Sequence, residues 1–197
     1  AVSATLIRDG SPWSLAILAA VGIGIVCGLI NGYGLVYLGI PSIIMTLGMN
    51  GVIRGLIYVY TGGKWVENIP FEYKAISQAT VGGITYIYLA TFIIAVGGSL
   101  LLRRIAVGRN FYAVGDNIGG AELVGIPVKR TRISAFVLSS FFAAAAGCIY
   151  VSRIGFVTPI AGNGYEMKAI AACVLGGISL SGGVGSLFGA LIGAIIM

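Results

Sequence analysis

The sequence has 197 residues, of which 58% are hydrophobic and only 9% are charged, and its mean hydropathy is +1.02. Soluble domains carry roughly 25% charged residues, so a chain of this composition needs a lipid bilayer as its solvent. The formal net charge is +6, but the cations stand at the ends of apolar runs without interleaved aromatic residues. This distribution is typical of membrane-protein loops and argues against a nucleic-acid-binding surface.

Cysteine and histidine usage argues against a metal centre. The three cysteines, Cys27, Cys148 and Cys173, each stand alone in an apolar run, and the sequence contains no histidine. Isolated cysteines of this kind are typical of small packing residues, and the commonest metal ligand and general base is missing. We therefore expect no metal site, no cofactor and no enzymatic activity in this chain.

The first membrane span is predicted at residues 13–33. Small residues recur there at every fourth position, at Ala16, Ala20, Gly24, Gly28 and Gly32. On a helix they form a stripe that lets another backbone approach closely. Further stripes of this kind are Ser139, Ala143 and Gly147; Ser140, Ala144 and Cys148; and Ser181, Gly185, Gly189 and Gly193. Asn31 is interpreted as a helix cap, with a polar group on a transport pathway as the alternative.

Four more apolar stretches follow, at residues 42–60, 84–102, 133–152 and 169–197. Gly48 and Gly51 make the first of these deformable, so a broken helix is one alternative there. The last stretch is interrupted by GGISLSGGVGS, which predicts a short re-entrant helix, a turn and then a new span. Non-helical backbone is tolerated at membrane depth only where protein or water covers it. We expect an all-α, polytopic membrane bundle with broken or re-entrant helices.

Three polar side chains mark one face of the second span. Asn50, Arg54 and Tyr58 are spaced at i, i+4 and i+8. An arginine at membrane depth costs ~2.5–3.5 kcal/mol unless it faces protein or water. We interpret the three as contributors to a substrate path; the alternative is that Arg54 reaches the nearby membrane surface.

Two connecting segments are expected on the outside. Residues 61–83 contain two Lys and two Glu, whose charges cancel, and residues 153–168 return to the same side. Trp65, Phe71 and Tyr73 are aromatic residues of the first segment. They predict either a position at the membrane interface or contact with a soluble partner.

The basic segment, residues 103–132, is the only long polar stretch in the interior of the sequence. It carries about +4 of the net charge, from Arg103, Arg104, Arg109, Lys129, Arg130 and Arg132 against Asp116 and Glu122. A short basic loop between two spans is held in the cytoplasm. Within it, residues 119–125 predict a short helix closed by Gly125 and stopped by Pro127, with Glu122 on a small knob. An ordinary positively charged loop is the alternative.

No energy-converting motif is present. The nucleotide-binding pattern GxxxxGK[ST] does not occur, and all six acidic residues lie in loops or border one. An ion-coupled carrier needs titratable groups at membrane depth, and an enzyme needs clustered reactive side chains. Energy for uphill transport would therefore come from a partner. An ion-independent carrier or channel for small neutral polar solutes is the alternative.

Several stretches resemble a known family. These are NGYGLVYLGIPSIIMTLG (31–48), GRNFYAVGDN (108–117), GAELVGIPVKRTR (120–132) and EMKAIAACVLGGISLSGGVGS (166–186). They look like the permease subunits of bacterial monosaccharide ABC importers of the ribose type, and the likeness covers nearly the whole chain. TGGKWVENIP (61–70), GRNFYAVGDN (108–117) and residues 155–180 look closest to the branch that imports autoinducer-2, a pentose-derived signal.

The resemblance implies an inner-membrane complex. Its other parts would be a second permease copy or paralogue, two cytoplasmic ATPases that bind ATP and Mg, and a periplasmic sugar-binding protein. Residues matching the family's ATPase-coupling segment are Gly108, Arg109, Tyr112, Gly115, Asn117, Ala121, Glu122, Gly125 and Ile126. The sequence starts without Met and stops within an apolar run, so we expect one permease domain over residues 1–197 that is an internal fragment of a longer chain.

Overall fold

The computed structural model describes residues 1–70, 73, 80–81 and 84–197, without the side chains of Thr80, Val81, Ile84, Leu101 and Arg103. These residues are mostly helical, with one hairpin of two short strands. In chain order the elements are α1 (Val2–Arg8), α2 (Trp13–Tyr37), α3 (Ser42–Thr61), β1 (Thr80–Val81), β2 (Ile84–Thr85), α4 (Tyr86–Arg104), α5 (Ala106–Asp116), α6 (Ile118–Leu123), α7 (Val128–Ile154), α8 (Tyr165–Leu175) and α9 (Leu187–Ile196). β1 and β2 pair antiparallel.

Three helices among the described residues, α2, α3 and α7, are long and apolar enough to cross a membrane. They contain 25, 20 and 27 residues. At 1.5 Å per residue even the shortest reaches ~30 Å, the thickness of the hydrocarbon core. Two shorter apolar helices are Tyr86–Leu100 and Leu187–Ile196. The predicted all-α membrane architecture is confirmed.

Helix α3 is continuous through Gly48 and Gly51. The alternative of a broken helix in this stretch is therefore wrong. Each glycine lowers helix stability by only about 1 kcal/mol, which the remaining long apolar side chains offset. A left-handed C-cap at Gly62 (φ +60°) ends the helix, since its amide donates to the Tyr58 and Val59 carbonyls.

Residues Ala1–Ile87 and Ile133–Ala161 form the first of two compact units. In it, α2 runs antiparallel to α7, and the predicted glycine stripe is the contact. A Cβ built on Gly28 would lie 2.8 Å from the Phe136 carbonyl oxygen, and one on Gly32 would lie 3.0 Å from the Ile133 Cα. On α7, Ser140 and Ala144 face Gly24. The stripe through Gly147 is different, because a Cβ there would meet nothing within 4 Å.

A buried cluster closes one end of the first unit. Its members come from α1, α2, α7 and the segments that follow α3 and α7: Ala4, Ile7, Ala16, Val66, Ile69, Tyr73, Val151 and Val157. Val66 and Val157 also exchange two backbone hydrogen bonds of 2.9 Å. The start of α2, the end of α3 and the end of α7 thus meet at the same end of the first unit.

Tyr73 is buried in this cluster, so its predicted position at the interface or against a partner is wrong. Its hydroxyl donates to the Cys148 carbonyl (3.1 Å), and the Ser152 hydroxyl donates to the Tyr73 carbonyl (2.7 Å). Trp65 is exposed and stacks on Phe156, with ring centroids 6.0 Å apart. Phe71 lies outside the described residues.

Asn31 lies inside α2, because that helix continues to Tyr37. The interpretation as a cap is therefore wrong. Its side chain is only 8% exposed, and its Oδ1 has no hydrogen-bond partner among the residues that the structure describes. The pathway alternative stays a prediction.

Residues Tyr88–Arg132 and Gly162–Met197 form the second unit. Here α8 and α9 are antiparallel and in backbone contact, Gly176 against Gly189 and Ala172 against Gly193. The predicted interruption is confirmed as the turn between these helices. Because α9 begins only at Leu187, Ser181 and Gly185 do not share its glycine stripe, and that prediction holds for Gly189 and Gly193 alone.

Candidate coupling site

The basic segment is largely helical, whereas the sequence pattern predicts a helix only for residues 119–125. Helix α5 was missed. Its signal was the recurrence of Gly108, Tyr112 and Gly115 at i, i+4 and i+7, which places three small or amphipathic residues on one face. Because the rest of this helix contains polar residues and glycines, hydrophobic periodicity alone does not predict it.

Gly108 forms the corner between α4 and α5. A Cβ at this position would collide with the backbone of Leu102, so only glycine lets α5 fold back so tightly. The residue is buried, whereas the next one, Arg109, is exposed. The corner therefore fixes α5 against the end of α4 and leaves the arginine at the surface.

Tyr112 and Gly115 contact the turn between α8 and α9. The Tyr112 hydroxyl donates to the Gly185 carbonyl at 3.2 Å. A Cβ on Gly115 would lie 2.6 Å from the Gly183 amide nitrogen, so the two backbones touch. The sequence pattern does not pair these segments, because more than 60 residues separate them.

Helix α6 confirms the predicted short helix, with shifted bounds. Asn117 caps its start, accepting from the Gly120 amide at 2.9 Å. Beyond its end, Gly125 adopts a left-handed conformation (φ +78°), and Pro127 precedes α7. Local capping chemistry was sufficient to predict this element.

A small buried cluster holds α6 in place. Val114 of α5, Ala121 of α6 and Val128 of α7 are each less than 10% exposed, and Ile126 packs against them. One residue from each of three helices therefore joins here. Ala121 and Ile126 stabilise the fold of the segment and are not its outer surface.

The outer surface of α6 is apolar at its tip. Leu123 is 91% exposed and Val124 is 74% exposed. Of the predicted coupling residues, Arg109, Asn117, Glu122 and Gly125 are also exposed. Leu123 and Val124 are not among the residues predicted from the sequence. The signal that could have found them is an apolar pair directly before a helix-ending glycine.

The candidate substrate-path residues lie in the first unit. Asn50, Arg54 and Tyr58 share one face of α3, as predicted, with the first two half-buried and the tyrosine exposed. Two surface cavities, of about 330 and 280 Å³, are lined by other residues, among them Trp13 in the larger and Trp65 in the smaller. The role of the three α3 residues stays a prediction.

Comparison with known proteins decides the family. The family described as "Branched-chain amino acid transport system / permease component" matches residues 1–197. The chain belongs to this permease family. Its membrane-crossing helices therefore belong to a permease component.

Three curated relatives are each named "Autoinducer 2 import system permease protein LsrC". The protein from Enterobacter sp. (strain 638) is 44% identical over 97% of this chain and 56% of its own length. The protein from Klebsiella pneumoniae is 47% identical over 89% of this chain and 51% of its own length. The protein from Escherichia coli (strain K12 / DH10B) is 44% identical over 96% of this chain and 55% of its own length. The chain spans about half the length of these relatives. No solved structure matches it. The resemblance noted in the sequence is confirmed.

Proposed function

We propose that this chain is part of the permease of an ATP-driven importer that moves autoinducer-2, or a related sugar-like ligand, across the bacterial inner membrane. The family match over residues 1–197 carries the proposal. The relatives that are named as autoinducer-2 import permeases support the ligand class. A second permease subunit and a periplasmic sugar-binding protein would complete the transporter.

The basic segment is the proposed docking surface for the ATPase subunits. Its exposed tip is the apolar pair Leu123 and Val124, which directly follows the exposed Glu122. Exposed apolar residues surrounded by polar ones are typical of protein interfaces, where they supply most of the binding energy. ATP and Mg would be bound by those partners, because this chain carries no nucleotide-binding motif.

The docking proposal is tested by co-purification from membranes that contain the full-length protein and its ATPase. We expect the wild-type protein to retain the ATPase, and Glu122→Arg and Leu123→Asp to lose most of it. Asp9→Arg and Ile160→Asp are the matched controls, since both residues are exposed and lie in the first unit. Undiminished ATPase on both α6 variants would overturn the docking assignment. Absence of ATPase from the wild type, with ATP-independent uptake, would favour the carrier alternative.

Ligand identity is tested by uptake in a deletion strain complemented with the full-length gene. Autoinducer-2, ribose, rhamnose and leucine are supplied separately. Leucine is included because the family description names branched-chain amino acid transport. We expect uptake of autoinducer-2. Uptake of rhamnose alone or leucine alone would contradict the proposed ligand class.

A further inference from the structure

Three glycines bring two distant segments of the second unit into backbone contact. A Cβ on Gly115, in the last turn of α5, would lie 2.6 Å from the Gly183 amide nitrogen. One on Gly182 would lie 2.7 Å from the Gly115 carbonyl oxygen, and one on Gly183 would lie 2.8 Å from the Asp116 Cα. No side chain separates α5 from the turn that joins α8 to α9.

The turn between α8 and α9 has hydrogen bonds within itself and one to α5. The Ser179 amide donates to the Val184 carbonyl at 2.9 Å. Gly182 and Gly183 adopt left-handed backbone conformations, with φ of +94° and +73°. One helical turn before Gly115, the Tyr112 hydroxyl holds the Gly185 carbonyl. The contact therefore extends along about one turn of α5.

We propose that this contact, the α5–turn joint, transmits movement of the basic segment to the α8–α9 pair. The inference rests on the proposed function, because it assumes that ATPases bind α6. Val114 and Ala121 pack α6 onto α5. Displacement of α6 therefore moves α5, and α5 moves the turn to which both α8 and α9 are attached.

The backbone nature of the joint is what suits it to this role. Side chains absorb a small displacement by changing rotamer, whereas touching backbones do not, and packed interfaces switch rather than deform continuously. Tyr112, Gly115, Gly182 and Gly183 are thus positioning residues. A purely structural contact would change stability when altered but would not change the response of the turn to nucleotide.

The test uses the purified full-length permease–ATPase complex with a cysteine reporter in the turn. Val184 is exposed, so Val184→Cys is accessible to a maleimide once Cys27, Cys148 and Cys173 are replaced by Ala. We expect a non-hydrolysable ATP analogue to change the labelling rate by about fivefold, the lower end of coupling between sites. Tyr112→Phe and Gly115→Ala should abolish this response while keeping the ATPase bound.

Gly97→Ala is the matched control, because Gly97 lies in α4 of the same unit, outside the basic segment, and a Cβ there would meet nothing within 4 Å. Tyr112→Phe removes one hydroxyl and adds no bulk, so it remains informative if Gly115→Ala does not fold. Two outcomes would overturn the inference. One is that the ATP analogue does not change the labelling rate of Val184→Cys when the joint is unaltered. The other is that it changes the rate in both joint variants as much as in the unaltered joint. Failure of the ATPase to co-purify with the wild type would instead refute the proposed function, before any labelling is measured.

Discussion

Tyr73 shows how one buried side chain joins segments that are far apart in the sequence. It is 5% exposed and bonds to two residues of α7, Cys148 and Ser152. Burial raises the pKa of Tyr73 to about 12, so the phenol stays a neutral donor well above neutral pH. Sequence reading assigned it to a surface, because aromatic residues in a loop beside a membrane favour the interface and nothing local reveals a partner 75 residues away.

Replacing Tyr73 by Phe should lower the free energy of unfolding by about 1 kcal/mol, the typical contribution of one buried hydrogen bond. Thermal unfolding in detergent measures this, with Tyr86→Phe as the control because Tyr86 is exposed. An unchanged melting temperature for Tyr73→Phe would contradict the assigned hydrogen bond.

The same tyrosine predicts a pH dependence at the alkaline end. Folding raises its pKa from 10.0 to about 12. The contribution of the neutral phenol to the free energy of unfolding is therefore fully present below pH 10 and is lost as the pH rises towards 12. Melting temperatures measured across this interval should fall less for Tyr73→Phe than for the wild type. Parallel curves for the two proteins would rule out the buried tyrosine as the cause.

The contact between α2 and α7 shows how much of a helix packing arrangement can be predicted from the sequence of one helix alone. The four-residue spacing of Gly24, Gly28 and Gly32 predicted a close helix contact, and that contact exists. It did not identify α7 as the partner, since several stretches carry comparable stripes. In one of them a Cβ built on Gly147 would meet nothing within 4 Å.

Gly28→Ala should destabilise the first unit by about 1–3 kcal/mol, because the new methyl group overpacks the contact with α7. Gly22→Ala is the control on the same helix: a Cβ there meets nothing within 4 Å, so the substitution should be neutral or slightly stabilising. Thermal unfolding of Gly28→Ala and Gly22→Ala measures this difference in stability. Equal stability would show that the helices are not in backbone contact at Gly28.

In the basic segment, the features that depend on neighbouring residues could be predicted from the sequence, and those that depend on contacts with distant helices could not. Helix α6 followed from its Gly and Pro punctuation, and Asn117 adds a cap that depends only on neighbouring residues. The burial of Ala121 and the contact of Gly115 with Gly183 depend on other helices. The sequence therefore located the segment, and the structure separates its packing residues from its exposed tip.

For the whole molecule, charge and packing give the same orientation within the first unit. The beginning of α2, the end of α3 and the end of α7 meet at the buried cluster. At the other end of the α2–α7 contact, Gly32 lies against Ile133, which directly follows the basic residues of α7. Because a short basic segment is retained in the cytoplasm, the cluster and the loop that contains Glu67 should lie outside.

The orientation of the basic segment is the claim on which ATPase docking depends, and topology reporters test it directly. A reporter active only in the cytoplasm and one active only outside are each inserted in the full-length protein, at Asp116 and at Glu67, both of which are exposed. We expect a cytoplasmic signal at Asp116 and an external signal at Glu67. An external signal at Asp116 would contradict this orientation, because cytoplasmic ATPases could not reach α6.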